Sequence, residues 1–158
     1  MPKQGSVELL KEPVAREQLE SSIPARLAYI ARDGTPRVVP IWFHWNGREV
    51  VLGTPASAPK VKDLQADPNV ALSIDGDVPP HKVLMIRGKA ALSFVDGVLG
   101  EYELAAHRYL GSEQGEQWCD MLRGIPGLEM CRIAIDPSWV GLLDFETRYP
   151  QALEPLFT

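Results

Sequence analysis

The sequence predicts a mainly β domain with added helices, built as a small closed or nearly closed barrel of six antiparallel strands. Two observations favour this fold class. Six segments have the β-branched, aromatic or alternating apolar pattern of strands and follow one another in mostly hairpin order, with one short helix after the third. The dipeptide Asn46-Gly47 between two of these segments is the strongest hairpin signal in the chain, because both residues tolerate positive φ.

The composition is that of an ordinary globular protein and disfavours several functional classes. The chain has 158 residues, 45% of them hydrophobic and 23% charged, so we expect a single domain over residues 1–158. The net charge of −5 disfavours nucleic-acid binding, since phosphate contacts need a basic face. No apolar run approaches the roughly 20 residues that span a bilayer, which predicts no membrane association. Cys119 and Cys131 lack the spacing of a metal site or a disulfide framework, which favours a cytoplasmic location.

The first half of the chain is predicted to contain a loose lead-in, a short helix and three strands that pair as a meander. Residues 1–12 are polar and are expected to be loosely held. The short helix is expected over residues 14–22. The expected strands are 27–31, buried on both faces, then 37–45 and 49–54. Pro40 lies within the second strand, where proline cannot donate to a ladder, so this position is expected at an edge, a bulge or a ligand.

The second half is predicted to hold the remaining strands and a helical insertion over residues 98–126. Ser57 is expected to cap a helix whose first turn holds Pro59 and which ends near Ala66. Gly88 predicts a bulge or sharp bend inside a long strand. The expected strands are 70–74, 82–94 and 128–135, and the expected helices of the insertion are 98–110 and 113–122.

The segment around the predicted short helix has the chemistry of an anion site. Residues 50–62 contain no acidic side chain and hold Thr54, Ser57, Lys60 and Lys62. A helix N-terminus offers free backbone N–H groups and a partial positive charge, to which Lys60 in the first turn adds a full charge. The pattern therefore favours a phosphate cradle. A capped helix with two solvated lysines explains the same residues, and the spacing alone leaves both interpretations open.

The neighbouring strand at 37–45 is apolar and aromatic. A flat ring with polar edges is expected to lie against it and to hydrogen-bond to its backbone, with Pro40 leaving a gap in the ladder. A core strand with ordinary aromatic packing is the alternative. His44, His81 and His107 lie far apart in the sequence without ligand spacing, so no metal site is predicted.

Four segments in this order resemble the pyridoxamine 5'-phosphate oxidase-like family. They are GTPRVVPIWF at 34–43, VLGT at 51–54, SAPKVKDL at 57–64 and DPNVAL at 67–72, followed by a strand that contains GKA at 88–90. The resemblance covers residues 25–95. It implies a six-stranded Greek-key split β-barrel that binds flavin mononucleotide (FMN) or, alternatively, the deazaflavin F-420, in a homodimer with the cofactor at the subunit interface.

The resemblance also implies roles for residues and an activity. Thr54 and Lys60 are expected to bind the cofactor phosphate, with Ser57 and Lys62 as helpers. The residues expected along the ring and ribityl chain are Arg37, Val38, Val39, Pro40, Ile41 and Trp42. The chemistry would reside in the cofactor, which makes the chain an FMN-dependent oxidoreductase of a small-molecule substrate, without separate catalytic side chains. A deazaflavin-dependent reductase and a non-catalytic flavin- or haem-binding module are the alternatives.

Three departures from the family pattern argue against vitamin B6 oxidation. Pro59 stands where the oxidase has an arginine just before its phosphate lysine, and Val83 falls where the oxidase has a polar residue facing the flavin. The C-terminal substrate-binding arginine motif of the oxidase is not recognisable in Arg148-Tyr149-Pro150.

Overall fold

The computed structural model describes residues 1–157 and consists of one antiparallel sheet with helices around it. The strands are β1 Ala25–Ile30, β2 Pro36–Ile41, β3 Phe43–Trp45, β4 Val50–Pro55, β5 Asn69–Asp75, β6 Val83–Asp96 and β7 Glu129–Leu143. The α-helices are α1 Pro13–Glu20, α2 Pro59–Ala66, α3 Gly100–Leu110 and α4 Ser112–Arg123. Short 3-10 helices cover Val7–Lys11 and Glu154–Leu156. No helix within residues 1–157 combines the length and the apolar character needed to cross a membrane.

The two edge strands of the sheet are joined directly to each other by the chain. Its seven strands lie in the order β2-β1-β5-β6-β7-β4-β3, so β2 and β3 are its two edges. These two strands are consecutive in the chain and are separated only by Trp42. The prediction of one strand at 37–45 is therefore wrong in detail: its first part pairs with β1 and its last part with β4. This division accounts for seven strands where the sequence predicted six, while the antiparallel barrel itself is confirmed.

The core lies on the inner face of this sheet, and the pattern of β1 shows how the sequence selects that face. Leu27 and Tyr29 are buried, whereas Arg26 before them and Ile30 after them are exposed. The predicted burial on both faces is wrong for the single chain, because the outer face of β1 carries no covering layer among the described residues. The inner side chains pack with Phe43, Leu72 and others of one continuous cluster.

The long hairpin of β6 and β7 bends at Gly88, as predicted. The register shifts between Arg87 and Gly88, and Ser138 is the extra residue on the opposite strand. A Cβ atom on Gly88 would lie 2.6 Å from the carbonyl oxygen of Asp136, so only glycine fits this crossing. The predicted end of the last strand at 135 is wrong. The strand continues through Pro137 to Leu143, because the bulge is the place where a ladder tolerates proline.

The first twelve residues are docked and not loose, which corrects the prediction for residues 1–12. The Gln4 side-chain amide donates to the Leu142 carbonyl at 2.6 Å and accepts from the Leu142 N–H at 2.9 Å. The Gly5 N–H donates to the Val140 carbonyl at 2.8 Å. Leu9 is fully buried in the core. Polar composition did not reveal these contacts because the partner strand is about 140 residues away.

Helix α3 packs over β3 and β4, and α4 packs against α3 as its antiparallel partner. The turn between them uses Gly111 at φ +85°, a conformation that suits glycine. Arg108 donates to the carbonyl oxygens of Phe43 and Ser21, and the Tyr109 hydroxyl donates to the carbonyl of Ile23 at 3.1 Å. The helical insertion is thus tied to the barrel by hydrogen bonds to its backbone.

The close crossing at Gly88 predicts a specific cost of substitution. We expect Gly88→Ala to lower the free energy of unfolding by about 1–3 kcal/mol, since the new methyl group meets backbone that must shift. Urea denaturation followed by circular dichroism measures this. Gly100→Ala is the matched control, because a Cβ there meets open space at the start of a helix. Equal stability of the two variants would show that the crossing has room for a side chain.

Candidate functional site

A cleft of about 390 Å³ opens where the β2–β3 junction, the end of β4, the start of α2 and the α3–α4 pair meet. The sequence-predicted residues that line it are Pro40, Ile41, Trp42, Thr54 and Lys60. The lining residues that were not predicted there are Pro24, Gly53, Pro55, Tyr102 and Trp118. The structure therefore brings the predicted phosphate pair and the predicted ring-binding strand to one place.

The polar end of the cleft is formed by Thr54 and Lys60. Thr54 is the penultimate residue of β4 and is 5% exposed. Pro59 occupies the first turn of α2, which places Lys60 in that turn beside the strand end. The Lys60 ammonium donates to the Thr54 hydroxyl at 3.4 Å, a long hydrogen bond. The prediction that Ser57 caps this helix is wrong: Ala58 holds the N-cap position and offers no side-chain acceptor.

The environment of Lys60 favours a bound anion. Burial lowers the pKa of Lys60, and no charged neighbour contributes to the shift. Within residues 1–157 no carboxylate forms a salt bridge with this ammonium, and Asp63 on the same helix is paired with Arg32 at 3.1 Å. A half-buried ammonium without a counter-charge is costly. An anionic ligand would supply the missing charge and would raise the pKa of Lys60 again.

The cleft also has an aromatic wall. Trp42 stacks on Tyr109 with ring centroids 5.2 Å apart and planes 11° from parallel, and it meets Tyr102 at 5.8 Å. The indole N–H of Trp118 donates to the Tyr102 hydroxyl at 2.9 Å. The helical insertion therefore covers the strand break at Trp42 and builds one wall of the cleft, a function that its sequence did not indicate.

Five residues predicted for the site do not line the cleft. Arg37 forms a salt bridge with Asp33 at 3.0 Å, and Val39 packs against the core. Val38 is 67% exposed on the outer face of β2. Successive side chains of a strand point to opposite faces, so one ligand cannot contact the side chains of all six residues from Arg37 to Trp42. Ser57 and Lys62, predicted as helpers at the phosphate, are both exposed.

Sequence reasoning missed Tyr102 and Trp118 because no local motif connects them to the strand residues, and it gave no role to Gly53 of the VLGT segment because that role depends on Tyr102. Tyr102 and Trp118 lie on an insertion remote in sequence from Trp42, and only the packing of α3 and α4 brings them to the cleft. Gly53 permits this packing. A Cβ atom on Gly53 would lie 3.1 Å from Cδ2 of Tyr102 and 3.2 Å from its Cβ.

A second group of titratable side chains lies on the outer part of the helix pair. Ligand atoms of Glu103, His107 and Glu116 lie within 4.8 Å of one another. The Arg123 guanidinium contacts Glu103 at 2.8 Å and Glu116 at 2.9 Å, and His107 contacts Glu116 at 3.0 Å. The Arg123 guanidinium therefore joins both carboxylates, and the group is best described as an ion-pair network between the two helices.

Comparisons with known proteins give one family and several similar structures. A family model described as pyridoxamine 5'-phosphate oxidase matches residues 12–136. A solved F420 reductase is 26% identical with a TM-score of 0.61, over 80% of this chain and 94% of that one. A conserved hypothetical protein of Mycobacterium tuberculosis is 20% identical with a TM-score of 0.64, over 92% and 91% of the two chains.

The haem storage protein HutZ of Vibrio cholerae is a further similar structure. It is 19% identical with a TM-score of 0.57, over 84% of this chain and 93% of that one. The search of curated proteins found no match. The likenesses to the mycobacterial protein and to HutZ concern the fold.

Proposed function

Since the chain belongs to the pyridoxamine 5'-phosphate oxidase family and has its split-barrel fold, we propose that it binds FMN in the cleft and acts as an oxidoreductase on a small molecule. The observation that carries this proposal is that one cleft presents both a half-buried, uncompensated ammonium at Lys60 and an aromatic wall at Trp42. A ligand with an anionic group and a flat ring satisfies both features.

The phosphate would be held by Lys60 and Thr54. The ammonium supplies a charge-assisted hydrogen bond, and the hydroxyl of Thr54 supplies a second donor from a buried position. The first turn of α2 adds backbone N–H groups, because Ala58 at the N-cap has no polar side chain to accept from them.

The ring would be held by the backbone of β2 and by the indole of Trp42. β2 is an edge strand that pairs only with β1 in the described sheet, so the backbone groups on its other side are available to a ligand. Pro40 lacks an N–H and leaves an apolar break among these groups. The rings of Trp42, Tyr102 and Trp118 would exclude water from this part of the cleft.

The cofactor and the protein residues would have different roles in this arrangement. Bound FMN would supply the hydride and electron chemistry, as flavins do in other enzymes. The residues of the chain would bind the cofactor, orient its ring and keep the site dry. Arg148 would take no part, because its guanidinium donates to the Pro2 carbonyl at 3.1 Å and lies 3.4 Å from Glu12. Because Arg148 is engaged in these contacts and is not free to bind a substrate phosphate, we propose a substrate other than vitamin B6 phosphate.

The proposal predicts different effects for two neighbouring lysines. We expect Lys60→Ala to weaken FMN binding about tenfold to a hundredfold, the effect of losing a charge-assisted bond of about 1.5–3 kcal/mol. Lys62→Ala is the matched control and is expected to change the affinity by less than about fourfold, since exposed charges act weakly. Quenching of FMN fluorescence on titration measures both. Equal affinities of Lys60→Ala and the wild type would refute the cradle.

A deazaflavin function is the second candidate, and the 26% identity to a solved F420 reductase favours it. F-420 carries a longer acidic tail than FMN and needs more cations, whereas Lys60 is the single cation that lines the cleft within residues 1–157. We therefore expect FMN to bind more tightly than F-420 when the two are titrated side by side. The reverse order would assign the chain to deazaflavin chemistry.

Reduction of the loaded protein then separates an enzyme from a binding module. We expect the bound flavin to be reduced anaerobically by a nicotinamide donor and reoxidised by an added acceptor. A flavin that stays oxidised with every donor would favour a non-catalytic module.

We also propose that the protein is a homodimer, as the family resemblance implies. Paired residues of β1 and β2 share a face, which places Ala28, Ile30, Pro36 and Val38 together on the outside. Val38 is 67% and Ile30 is 39% exposed, so this outer face is an apolar patch beside Pro40 of the cleft. A second copy of the chain would cover the patch.

Sedimentation measurements test the dimer directly. We expect the wild type to sediment as a dimer and Val38→Glu to shift it towards the monomer, because a buried carboxylate at the interface would be unpaired. Val78→Glu is the control, since Val78 is 74% exposed on the loop between β5 and β6 and lies outside the patch on β1 and β2. A monomeric wild type, or equal effects of both variants, would contradict the proposed interface.

A further inference from the structure

The wall formed by Tyr102 and Trp118 is held by packing and by a hydrogen bond. Tyr102 packs closely over β4 at Gly53, where a Cβ would come within 3.1 Å of the Tyr102 ring. The Trp118 indole fixes the Tyr102 hydroxyl with a hydrogen bond of 2.9 Å. Two residues of the insertion therefore present a fixed surface to the cleft, on a different element from the residues proposed to hold the phosphate.

The hydrogen bond between Trp118 and Tyr102 leaves the hydroxyl hydrogen of Tyr102 free to donate. An indole N–H donates only, so the Tyr102 oxygen is the acceptor in its bond with Trp118. Within residues 1–157 the Tyr102 hydroxyl donates to no protein group. Burial raises the pKa of Tyr102, although the bond from Trp118 opposes this shift, so the hydroxyl stays protonated at neutral pH. The cleft thus contains a fixed hydroxyl that can donate to an oxygen of a ligand.

The charges of the cleft restrict what that ligand can be. Lys60 is the single cation among the described lining residues, and the proposed function commits it to the cofactor phosphate. The remaining surface near Tyr102 consists of proline, isoleucine and tryptophan side chains. An anionic substrate would lose its hydration there without gaining a counter-charge. A flat, uncharged ring matches the aromatic surface, and a carbonyl oxygen on it matches the free donor.

We propose that Tyr102 and Trp118 form the substrate-recognition wall of the cleft, and that they select uncharged, planar carbonyl compounds through a hydrogen bond donated by the Tyr102 hydroxyl. This inference rests on the proposed function, because the selection against anions requires that a phosphate already occupies Lys60. It adds to that function the class of substrate and the residue that recognises it.

A matched pair of probes tests the selection in the FMN-loaded protein. Chromone is a flat, uncharged ketone, and chromone-2-carboxylate is the same ring with a negative charge. Binding is followed by calorimetry and by the change in the absorbance spectrum of the bound flavin. We expect chromone to bind at least about tenfold more tightly than its carboxylate.

Removal of one oxygen tests the role of Tyr102. We expect Tyr102→Phe to weaken chromone binding about threefold to tenfold, the loss of one neutral hydrogen bond, and to leave FMN affinity and thermal stability unchanged. Tyr149→Phe is the control, because it removes a hydroxyl that bonds to Glu146 in an exposed turn. It is expected to change neither affinity.

The possible outcomes separate this inference from the function on which it rests. Protein that does not load with FMN overturns the proposed function and removes the basis of the selection. Protein that loads with FMN but binds the two probes equally overturns the inference alone. Unchanged chromone affinity in Tyr102→Phe also overturns it, since the proposed donor would then be unused.

Discussion

β2 and β3 are the two edges of the sheet, and one residue separates them in the chain. Trp42 therefore lies where the barrel closes, with β1 holding the strand before it and β4 holding the strand after it. A residue at such a junction has no ladder partner on either side, and its ring is free to pack outside the core. Two tyrosines of α3 pack on this ring. Tyr109 is stacked on Trp42, and Tyr102 contacts Trp42 at a tilted angle. The cleft exists because the helix pair is anchored at the break in the sheet.

The position of Lys60 is unfavourable for two reasons, the helix dipole and burial. A positive charge in the first turn of a helix opposes the helix dipole, and burial of an ammonium without a partner loses hydration. Its one hydrogen-bond partner, Thr54, is neutral and distant. Neither cost is offset by other described residues of the chain. Sites that break local rules in this way are commonly functional, and here an anionic ligand would offset both costs.

Local signals in the sequence predicted local structure well. The Asn46-Gly47 turn, the bend at Gly88 and the start of α2 at Pro59 depend on the backbone properties of glycine, asparagine and proline, which act over a few residues. The cleft residues Thr54 and Lys60 were identified for the same reason, since they flank one loop. The break at Trp42, the docking of residues 1–12 and the wall at Tyr102 depend on contacts between distant segments, and no single window of the sequence contains them.

The reciprocal hydrogen bonds between Gln4 and Leu142 have a practical consequence. They act as a clasp that fastens the amino-terminal segment onto the far end of β7, and the neighbouring contact of Arg148 with the Pro2 carbonyl continues it. Removal of the first five residues would open this clasp and leave the backbone groups of Val140 and Leu142 without these partners.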